Sequence, residues 1–284
     1  MLSMISIPAL KLNTGAKIPQ LGFGTYKIAP ESTFDIVSSA LEIGYRHIDT
    51  AQMYGNEAEV GKAISESGIP RSEIFLTTKL NNGNHRPEDA RRSFAESLEK
   101  LQTDYVDLFL MHWPLPKLYN GEYTKAYAVM EEFFADKRAR AIGVSNFEPH
   151  HLREILLDNS VVPTVNQIEL HPYLSNQKNA EFSAHKGITV TAWSPLGRGA
   201  VLQDPVIEKI ANALQITPAQ VVLAWHLARG YVAIPKASTP ERQAENFQSA
   251  NIVLSTADIA AINALDKGEA GRQGSHPDTM NKIL

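Results

Sequence analysis

The chain has 284 residues, with 27 Lys and Arg against 31 Asp and Glu, so its formal net charge is −4. Hydrophobic residues make up 43% and charged residues 20%, a composition that excludes a disordered or fibrous chain. The acidic balance without a basic block argues against nucleic acid or a membrane surface as a partner, and the absence of cysteine excludes disulfides and a thiol nucleophile. No apolar run reaches the ~18 residues that span a bilayer.

Short apolar runs alternate with helical patterns along the whole chain. A small hairpin is predicted over residues 8–19, with its turn at Asn13 to Gly15. Consecutive apolar positions in the following runs are typical of parallel strands that are covered on both faces. Strands are predicted over residues 21–25, 46–50, 74–80, 106–113, 139–146, 163–170, 189–196 and 231–237.

Helix signals lie between these runs. Apolar residues recur at helical spacing after the first strand, and Thr217 followed by Pro218 and Gln220 is typical of a helix start with a capping box. Gly44 and Gly68 stand where helices are expected to end. A last helix is predicted after residue 255, followed by an irregular tail.

About eight strand–helix units occur without a linker, which predicts one domain over residues 1–284 rather than two domains of ~150 residues. The predicted fold class is α/β, a (β/α)8 TIM barrel with an N-terminal β-hairpin and a C-terminal extra helix and tail. No G-x-G-x-x-G follows any strand, which argues against an open dinucleotide-binding sheet. The N-terminus lacks a basic segment and a cleavage site, so we expect a cytoplasmic protein.

Reactive groups of barrel enzymes lie at the C-terminal ends of the strands. Asp49, Lys79 and His112 end three neighbouring predicted strands, and Tyr54 follows the first of them. A lysine ammonium beside Tyr54 would lower the pKa of the phenol from ~10 and make it a usable acid. Asp49 would hold the lysine, and His112 would orient a carbonyl oxygen. Such a group suits carbonyl reduction with hydride from a nicotinamide cofactor.

Other interpretations stay open at this point. Asp49 and Lys79 could be an ion pair that seals the barrel, and Lys79 could be the Schiff-base lysine of an aldolase. The pairs His47–Asp49 and Glu169–His171 could each offer two metal ligands, but no complete ligand set is evident and we expect no metal. The other histidines considered are expected to be surface or packing residues: His85, His150, His151, His185 and His226.

A second candidate site follows the last predicted strand. Lys236 ends this strand, and Thr239 and Pro240 begin a helix that carries Arg242 in its first turn. Two cations and free backbone N–H groups at a helix start favour a phosphate, and barrels often bind phosphate after strands seven and eight. If the ligand is a dinucleotide, the two cations favour NADP(H) over NAD(H).

Motifs along the whole chain resemble the aldo-keto reductase superfamily, and most closely its bacterial 2,5-diketo-D-gluconate reductase group. These motifs are GFGTY (22–26), GYRHIDTAQMYGNE (44–57), TTKL (77–80), MHWP (111–114), IGVSNF (142–147), VNQIELHP (165–172), WSPLG (193–197), IPKAS (234–238) and GRQGSHPD (271–278).

The resemblance implies a monomeric, metal-independent reductase that uses NADPH to convert small aldehydes, ketones or keto-sugar acids to alcohols. It implies a catalytic tetrad with Tyr54 as general acid, completed by Asp49, Lys79 and His112. The implied substrate contacts are Tyr26, Tyr54, His112 and Trp113. The implied cofactor contacts are Gly24, Thr25, Asp49, Ser145, Asn146, Gln167, Trp193, Leu196, Gly197, Lys236, Ser238, Arg242, Glu245 and Asn246. A nicotinamide-binding protein without catalysis is the alternative on the same scaffold.

Four positions depart from the family pattern. Ala237 and Thr239 replace a serine and an arginine that usually follow the phosphate-binding lysine, which predicts a weaker preference for NADPH. Asn81 and Tyr26 stand where many relatives carry tryptophan. These changes make the entrance of the substrate pocket more polar, which favours a small hydroxylated carbonyl compound over one the size of a steroid.

Overall fold

A ring of parallel strands forms the centre of the protein in the computed structural model, which describes residues 6–283. A hairpin of β1 (Ala9–Lys11) and β2 (Lys17–Pro19) precedes the ring. The first five residues, on which the expectation for the N-terminus partly rests, lie outside the described part of the chain. The ring strands are β3 (Phe23–Gly24), β4 (His47–Asp49), β5 (Phe75–Leu80), β6 (Leu108–Met111), β7 (Ile142–Ser145), β8 (Val165–Glu169), β9 (Thr189–Trp193) and β10 (Val232–Ile234).

Each ring strand pairs in parallel with the next one in chain order, and β3 meets β10 to close the barrel. Leu21 forms a parallel bridge with Ala233, and the Gly22 N–H donates to the Ala233 carbonyl at 2.9 Å. A Cβ on Gly22 would lie 2.6 Å from Ile234 and 2.8 Å from His47, so the seam requires glycine there. The predicted (β/α)8 fold is confirmed, although seven of its eight strands, all but β5, are at least two residues shorter than predicted.

Helices surround the barrel and connect its strands. They are α1 (Pro30–Ile43), α2 (Glu57–Glu66), α3 (Pro87–Lys100), α4 (Tyr123–Ala135), α5 (Pro149–Asp158), α6 (Gln177–His185), α7 (Pro205–Leu214), α8 (Pro218–Ala228), α9 (Pro240–Gln248) and α10 (Thr256–Asn263). The expected capping box is present, because Thr217 Oγ1 accepts the Gln220 N–H at 3.2 Å and Gln220 Oε1 accepts the Thr217 N–H at 3.0 Å. Gly44 ends α1 with φ 124°, as predicted.

One helix was not predicted as a separate element. The C-terminal helix α10 follows residue 255 as expected, but α7 is a second addition to the barrel. It packs on α8 and α10, whereas α8 packs on β10 and α9 in the position of a barrel helix. The region between β9 and β10 therefore holds two helices where the sequence pattern indicated one.

The N-terminal ends of the strands form the bottom of the barrel. Leu12 and Ile18 of the hairpin are buried there beside Phe75 and Leu108. Outside this apolar plug lies a second cluster, which we call the basal arginine cluster: Arg71, Tyr105, Asp107 and Arg140. Its two guanidinium groups lie 4.2 Å and 3.5 Å from the Tyr105 ring centroid, and Arg71 Nη1 contacts Asp107 Oδ2 at 2.9 Å. Among residues 6–283, no helix is long and apolar enough to cross a membrane.

Candidate active site

A cavity of about 920 Å³ opens at the C-terminal ends of the strands, where the barrel architecture predicts reactive groups. Most of the predicted site residues line it, and they lie in, or in the chain that follows, every strand of the ring except β5. The lining members are Gly24, Tyr26, Asp49, Tyr54, His112, Trp113, Ser145, Asn146, Gln167, Trp193, Leu196, Lys236, Arg242, Glu245 and Asn246.

A buried ion pair lies beneath the cavity floor. Lys79 Nζ lies 2.5 Å from Asp49 Oδ1 and 2.9 Å from the Thr50 carbonyl oxygen, and the lysine side chain is fully buried. The same ammonium donates to Tyr54 Oη at 3.4 Å. Tyr54 lines the cavity, so the phenol stands between the buried charge and the open space.

The pKa of Tyr54 contradicts one expectation. Burial, followed by the Asp49 carboxylate and Tyr26, raises the pKa of the Tyr54 phenol well above its usual value, whereas we expected Lys79 to lower it. Burial is the largest cause, and the Asp49 carboxylate, which lies closer to the ammonium than the phenol does, raises the pKa further. The phenol therefore keeps its proton throughout the neutral pH range.

His112 stands beside the phenol, with its ring 5.8 Å from the Tyr54 ring in an edge-on arrangement. Burial, and next the charge of Lys79, holds the pKa of His112 well below 6.5. The imidazole is therefore neutral at pH 7 and carries one N–H. Within residues 6–283, His112 Nδ1 has no hydrogen-bond partner. A neutral imidazole on the cavity wall can donate a hydrogen bond to a carbonyl oxygen.

An amide network extends from the ion pair across the cavity. Gln167 Nε2 donates to Asp49 Oδ2 at 2.7 Å, so each carboxylate oxygen of Asp49 accepts a hydrogen bond. Ser145 Oγ donates to the Gln167 carbonyl at 2.8 Å. Asn146 Nδ2 donates to the His112 carbonyl at 2.9 Å, and its Oδ1 accepts the indole N–H of Trp193 at 2.8 Å. The Trp193 ring is thereby held as an aromatic wall.

Four predicted site residues do not line the cavity. Lys79 lies behind Tyr54, and the buried Thr25 donates its hydroxyl to the Asp49 carbonyl at 3.2 Å. Gly197 is buried within the loop that follows β9. Ser238 lies outside and accepts a hydrogen bond from Lys236 Nζ at 3.0 Å. Their predicted contacts with a cofactor stay predictions.

The cavity is lined by more positive charge than we predicted. Besides Lys236 and Arg242, its wall carries three exposed cations that the sequence analysis did not select: Lys27, Arg198 and Lys282. None of the five forms an ion pair with a carboxylate of residues 6–283. The lining carboxylates are Asp49, which is paired with Lys79, and Glu245, which accepts the Thr217 hydroxyl at 2.7 Å. Five uncompensated cations favour an anionic ligand.

These features fit a nicotinamide dinucleotide. The ligand would need an aromatic wall, amide groups and cations in one space, and Trp193, the Asn146 and Gln167 amides and the Lys236–Arg242 pair supply them around a single cavity. Helix α9 starts beside that pair, with Thr239 as its N-cap. A helix N-terminus adds free N–H groups that favour phosphate.

The aldolase and metal interpretations gain no support from this geometry. Lys79 Nζ is held by three oxygen acceptors beneath the floor, with no side open to a carbonyl substrate. His47 bonds Pro19 and Thr77 rather than sharing a ligand with Asp49. Glu169 contacts His171 directly at 3.2 Å. The carboxylate of Glu169 is occupied by backbone N–H groups of the C-terminal tail.

A different group could offer metal ligands: His150, His151 and Asp278. The Glu148 N–H donates to His151 Nδ1 at 3.1 Å, so the neutral His151 ring carries its proton on Nε2, the atom that faces Asp278. A protonated nitrogen is not a metal ligand. Of the other histidines, His85 and His226 are buried and His185 is exposed. The prediction of surface or packing roles therefore agrees with the burial of these three.

A closed parallel barrel with a buried Asp–Lys pair, a protonated tyrosine and a cationic cavity at its C-terminal face fits a barrel oxidoreductase. Residues 20–267 match the profile of the aldo/keto reductase family. The chain belongs to this family.

Relatives of known name cover nearly the whole chain. An aldo-keto reductase of Mycolicibacterium smegmatis is 45% identical over 274 residues, which span 96% of this chain and 98% of the relative. Methylglyoxal reductase DkgA of Escherichia coli is 41% identical over 278 residues, with 97% and 98% coverage. The solved structure of a Gox0644 mutant in complex with NADPH has a TM-score of 0.93 and 39% identity, and the match covers 98% of this chain and 100% of that one.

Proposed function

We propose that this protein reduces small carbonyl compounds with NADPH. One observation carries the proposal: Tyr54 Oη lies on the cavity wall, 3.4 Å from the buried Lys79 ammonium. The NADPH bound in the similar Gox0644 structure supports the choice of cofactor, and the name of the Escherichia coli relative supports an α-dicarbonyl as one kind of substrate.

The tetrad supplies the proton and the orientation. NADPH, when bound, supplies the hydride that reduces the carbonyl carbon. Tyr54 keeps its proton at neutral pH and donates it to the carbonyl oxygen, while the Lys79 ammonium stabilises the phenolate that forms. Neutral His112 donates a hydrogen bond that orients the same oxygen. Asp49 keeps Lys79 charged and in place.

We assign the predicted cofactor contacts to the parts of NADPH, including Thr25, Gly197 and Ser238, which do not line the cavity. Ser145, Asn146 and Gln167 would hold the nicotinamide carboxamide, and Trp193 would stack on the ring. Gly24, Thr25, Leu196 and Gly197 would surround the ribose and the pyrophosphate. The 2′-phosphate would meet Lys236, Ser238 and Arg242, and the adenine end would meet Glu245 and Asn246. These residues lie in one chain, so the proposal of a monomer requires no partner subunit.

The substrate end suits a small polar molecule. Tyr26 is 49% exposed and its ring lies 5.0 Å from that of Tyr54, and Trp113 lines the same end of the cavity. With Asn81 in place of an aromatic residue, we propose aldehydes, α-dicarbonyls and keto-sugar acids such as 2,5-diketo-D-gluconate as substrates.

Replacing Tyr54 by Phe tests the mechanism. The Tyr54→Phe variant loses the proton donor, and general acid catalysis contributes about 10²–10⁴-fold, so kcat should fall at least 100-fold. The NADPH dissociation constant, measured by fluorescence quenching, should change less than threefold. Turnover is followed by NADPH absorbance with a panel of carbonyl compounds. Tyr105→Phe, which removes a hydroxyl at the bottom of the barrel, is the matched control and should behave as wild type.

Three outcomes distinguish the alternatives. If Tyr54→Phe keeps most of the wild-type kcat, the phenol is not the acid and the mechanism is wrong. If the wild type binds NADPH but reduces nothing in the panel, the protein is a binding protein on this scaffold. A covalent adduct trapped by borohydride at Lys79, without any need for nicotinamide, would favour the aldolase.

A further inference from the structure

Glu169, at the end of β8, holds the C-terminal tail although it is far from it in sequence. Its carboxylate is buried and accepts the Gln273 N–H on Oε1 at 2.8 Å and the Gly274 N–H on Oε2 at 2.9 Å. His171 Nε2 contacts Oε1 at 3.2 Å from the other side. Two backbone N–H groups of the tail therefore donate to one buried carboxylate at the C-terminal end of β8.

The anchored segment lies against the aromatic wall of the cavity. A Cβ on Gly274 would lie 2.4 Å from the Trp193 ring and 2.9 Å from Glu169 Oε2, so only glycine allows this approach. Next to it, Gln273 Nε2 donates to the Gly197 carbonyl at 2.8 Å. The tail thus contacts both the Trp193 ring and the loop after β9.

The tail also forms part of the cavity itself. Gly274, Ser275, Met280 and Lys282 line it. Burial raises the pKa of Glu169, but hydrogen bonds from His171 and the two backbone groups outweigh burial and hold the pKa below its usual value. The carboxylate is therefore charged at neutral pH, and charge-assisted hydrogen bonds are roughly twice as strong as neutral ones.

We propose that Glu169 is a positioning residue: by binding the backbone N–H groups of Gln273 and Gly274 it holds the tail against Trp193 and so sets the wall on which the cofactor ring rests. The second half of this inference rests on the proposed function, because it takes NADPH as the ligand of that wall. The first half, that Glu169 holds the tail, does not.

Two variants of the full-length protein test it. Glu169→Gln replaces one acceptor oxygen by an N–H₂ group that faces a backbone N–H, so tail amides 273 and 274 should exchange hydrogen at least ~10-fold faster without cofactor. The NADPH dissociation constant, from quenching of tryptophan fluorescence, should rise about 10-fold. Gly274→Ala keeps the carboxylate but displaces the Trp193 ring, and it should weaken NADPH to a similar degree.

Glu131→Gln is the matched control, because Glu131 Oε1 also accepts two backbone N–H groups, from Ser160 at 2.7 Å and Val161 at 2.6 Å. Because a glutamine can keep Oε1 as the acceptor of both N–H groups, exchange there should speed up less than at residues 273 and 274, and NADPH binding should stay unchanged. Unchanged tail exchange in Glu169→Gln overturns the anchoring.

The coupling to Trp193 has its own test. If Glu169→Gln and Gly274→Ala both bind NADPH with wild-type affinity, the coupling to Trp193 is wrong, even if the tail amides exchange faster in Glu169→Gln. If the wild type itself binds no NADPH, the proposed function fails, while the exchange data still decide whether Glu169 holds the tail.

Discussion

The Asp49–Lys79 pair is a buried contact that matters for stability and has a part in the proposed mechanism. Both side chains are removed from water, and each needs the other because an unpaired buried charge is strongly destabilising. Gln167 and Thr50 satisfy the remaining polar atoms of the pair. The pair can therefore stay charged beneath a phenol that keeps its proton.

Removing one partner should expose this dependence. Lys79→Met leaves the Asp49 carboxylate buried without its cation, and we expect the free energy of unfolding to fall by about 3–5 kcal/mol. Turnover should be lost as well. Denaturant unfolding of Lys79→Met, Asp49→Asn and the double variant measures the coupling. The double variant should lose less than the two single losses added together; simple additivity would show that the pair is not a unit.

Sequence reasoning predicted that Asp49, Tyr54, Lys79 and His112 lie together but misjudged the environment of the phenol. Asp49, Lys79 and His112 were predictable because strand ends of a barrel meet at one face. The raised pKa of Tyr54 was not, because it depends on burial and on the nearby Asp49 carboxylate, which sequence spacing does not give. The hydrogen bonds from the tail to Glu169 were not predictable for a similar reason: their donors, Gln273 and Gly274, lie more than 100 residues away.

At the level of elements, local signals were reliable where the chain itself carries the cap. The capping box at Thr217 and the glycine at the end of α1 both depend on neighbours within four residues. Helix α7 was missed because nothing local distinguishes an added helix from a barrel helix. That distinction is set by packing on α8, which follows α7 directly, and on α10, which is distant in the chain.

The cap of α10 gives a prediction at this scale. Ser255 Oγ accepts the Asp258 N–H at 3.1 Å and donates to its carboxylate at 2.6 Å. Ser255→Ala should lower the free energy of unfolding by about 0.5–2 kcal/mol, measured by urea unfolding. Ser255→Thr keeps the hydroxyl and should lose much less. An equal loss in both variants would mean that the cap bonds do not stabilise the helix.

Across the whole molecule, the net charge of −4 conceals a strongly positive cavity. The five lining cations come from the loop after β3, the loop after β9, the end of β10 with α9, and the tail. Composition could not reveal them, because they are far apart in sequence and are balanced by acidic residues elsewhere. The fold alone brings them to one face.

The cationic pair near α9 should distinguish the two nicotinamide cofactors. Lys236→Ala and Arg242→Ala each remove a charge-assisted contact worth about 1.5–3 kcal/mol, so NADPH should bind roughly 10- to 100-fold more weakly. NADH, which lacks the 2′-phosphate, should be affected much less. Affinities are measured by fluorescence titration at two salt concentrations. NADPH affinity should fall more steeply with salt than NADH affinity.

Lys209→Ala removes an exposed lysine of α7 that does not line the cavity, and it should leave both affinities unchanged. Equal losses for NADPH and NADH in the Lys236 and Arg242 variants would refute the assignment of the 2′-phosphate site.

The basal arginine cluster lies at the opposite end of the barrel from the cavity, with Arg71 and Arg140 on either side of Tyr105. Because the cluster is separate from the cavity, we expect substitutions of Arg71 or Arg140 to change the stability of the protein without changing its cavity. Stability at the bottom of the barrel and substrate choice at the cavity end can therefore change independently.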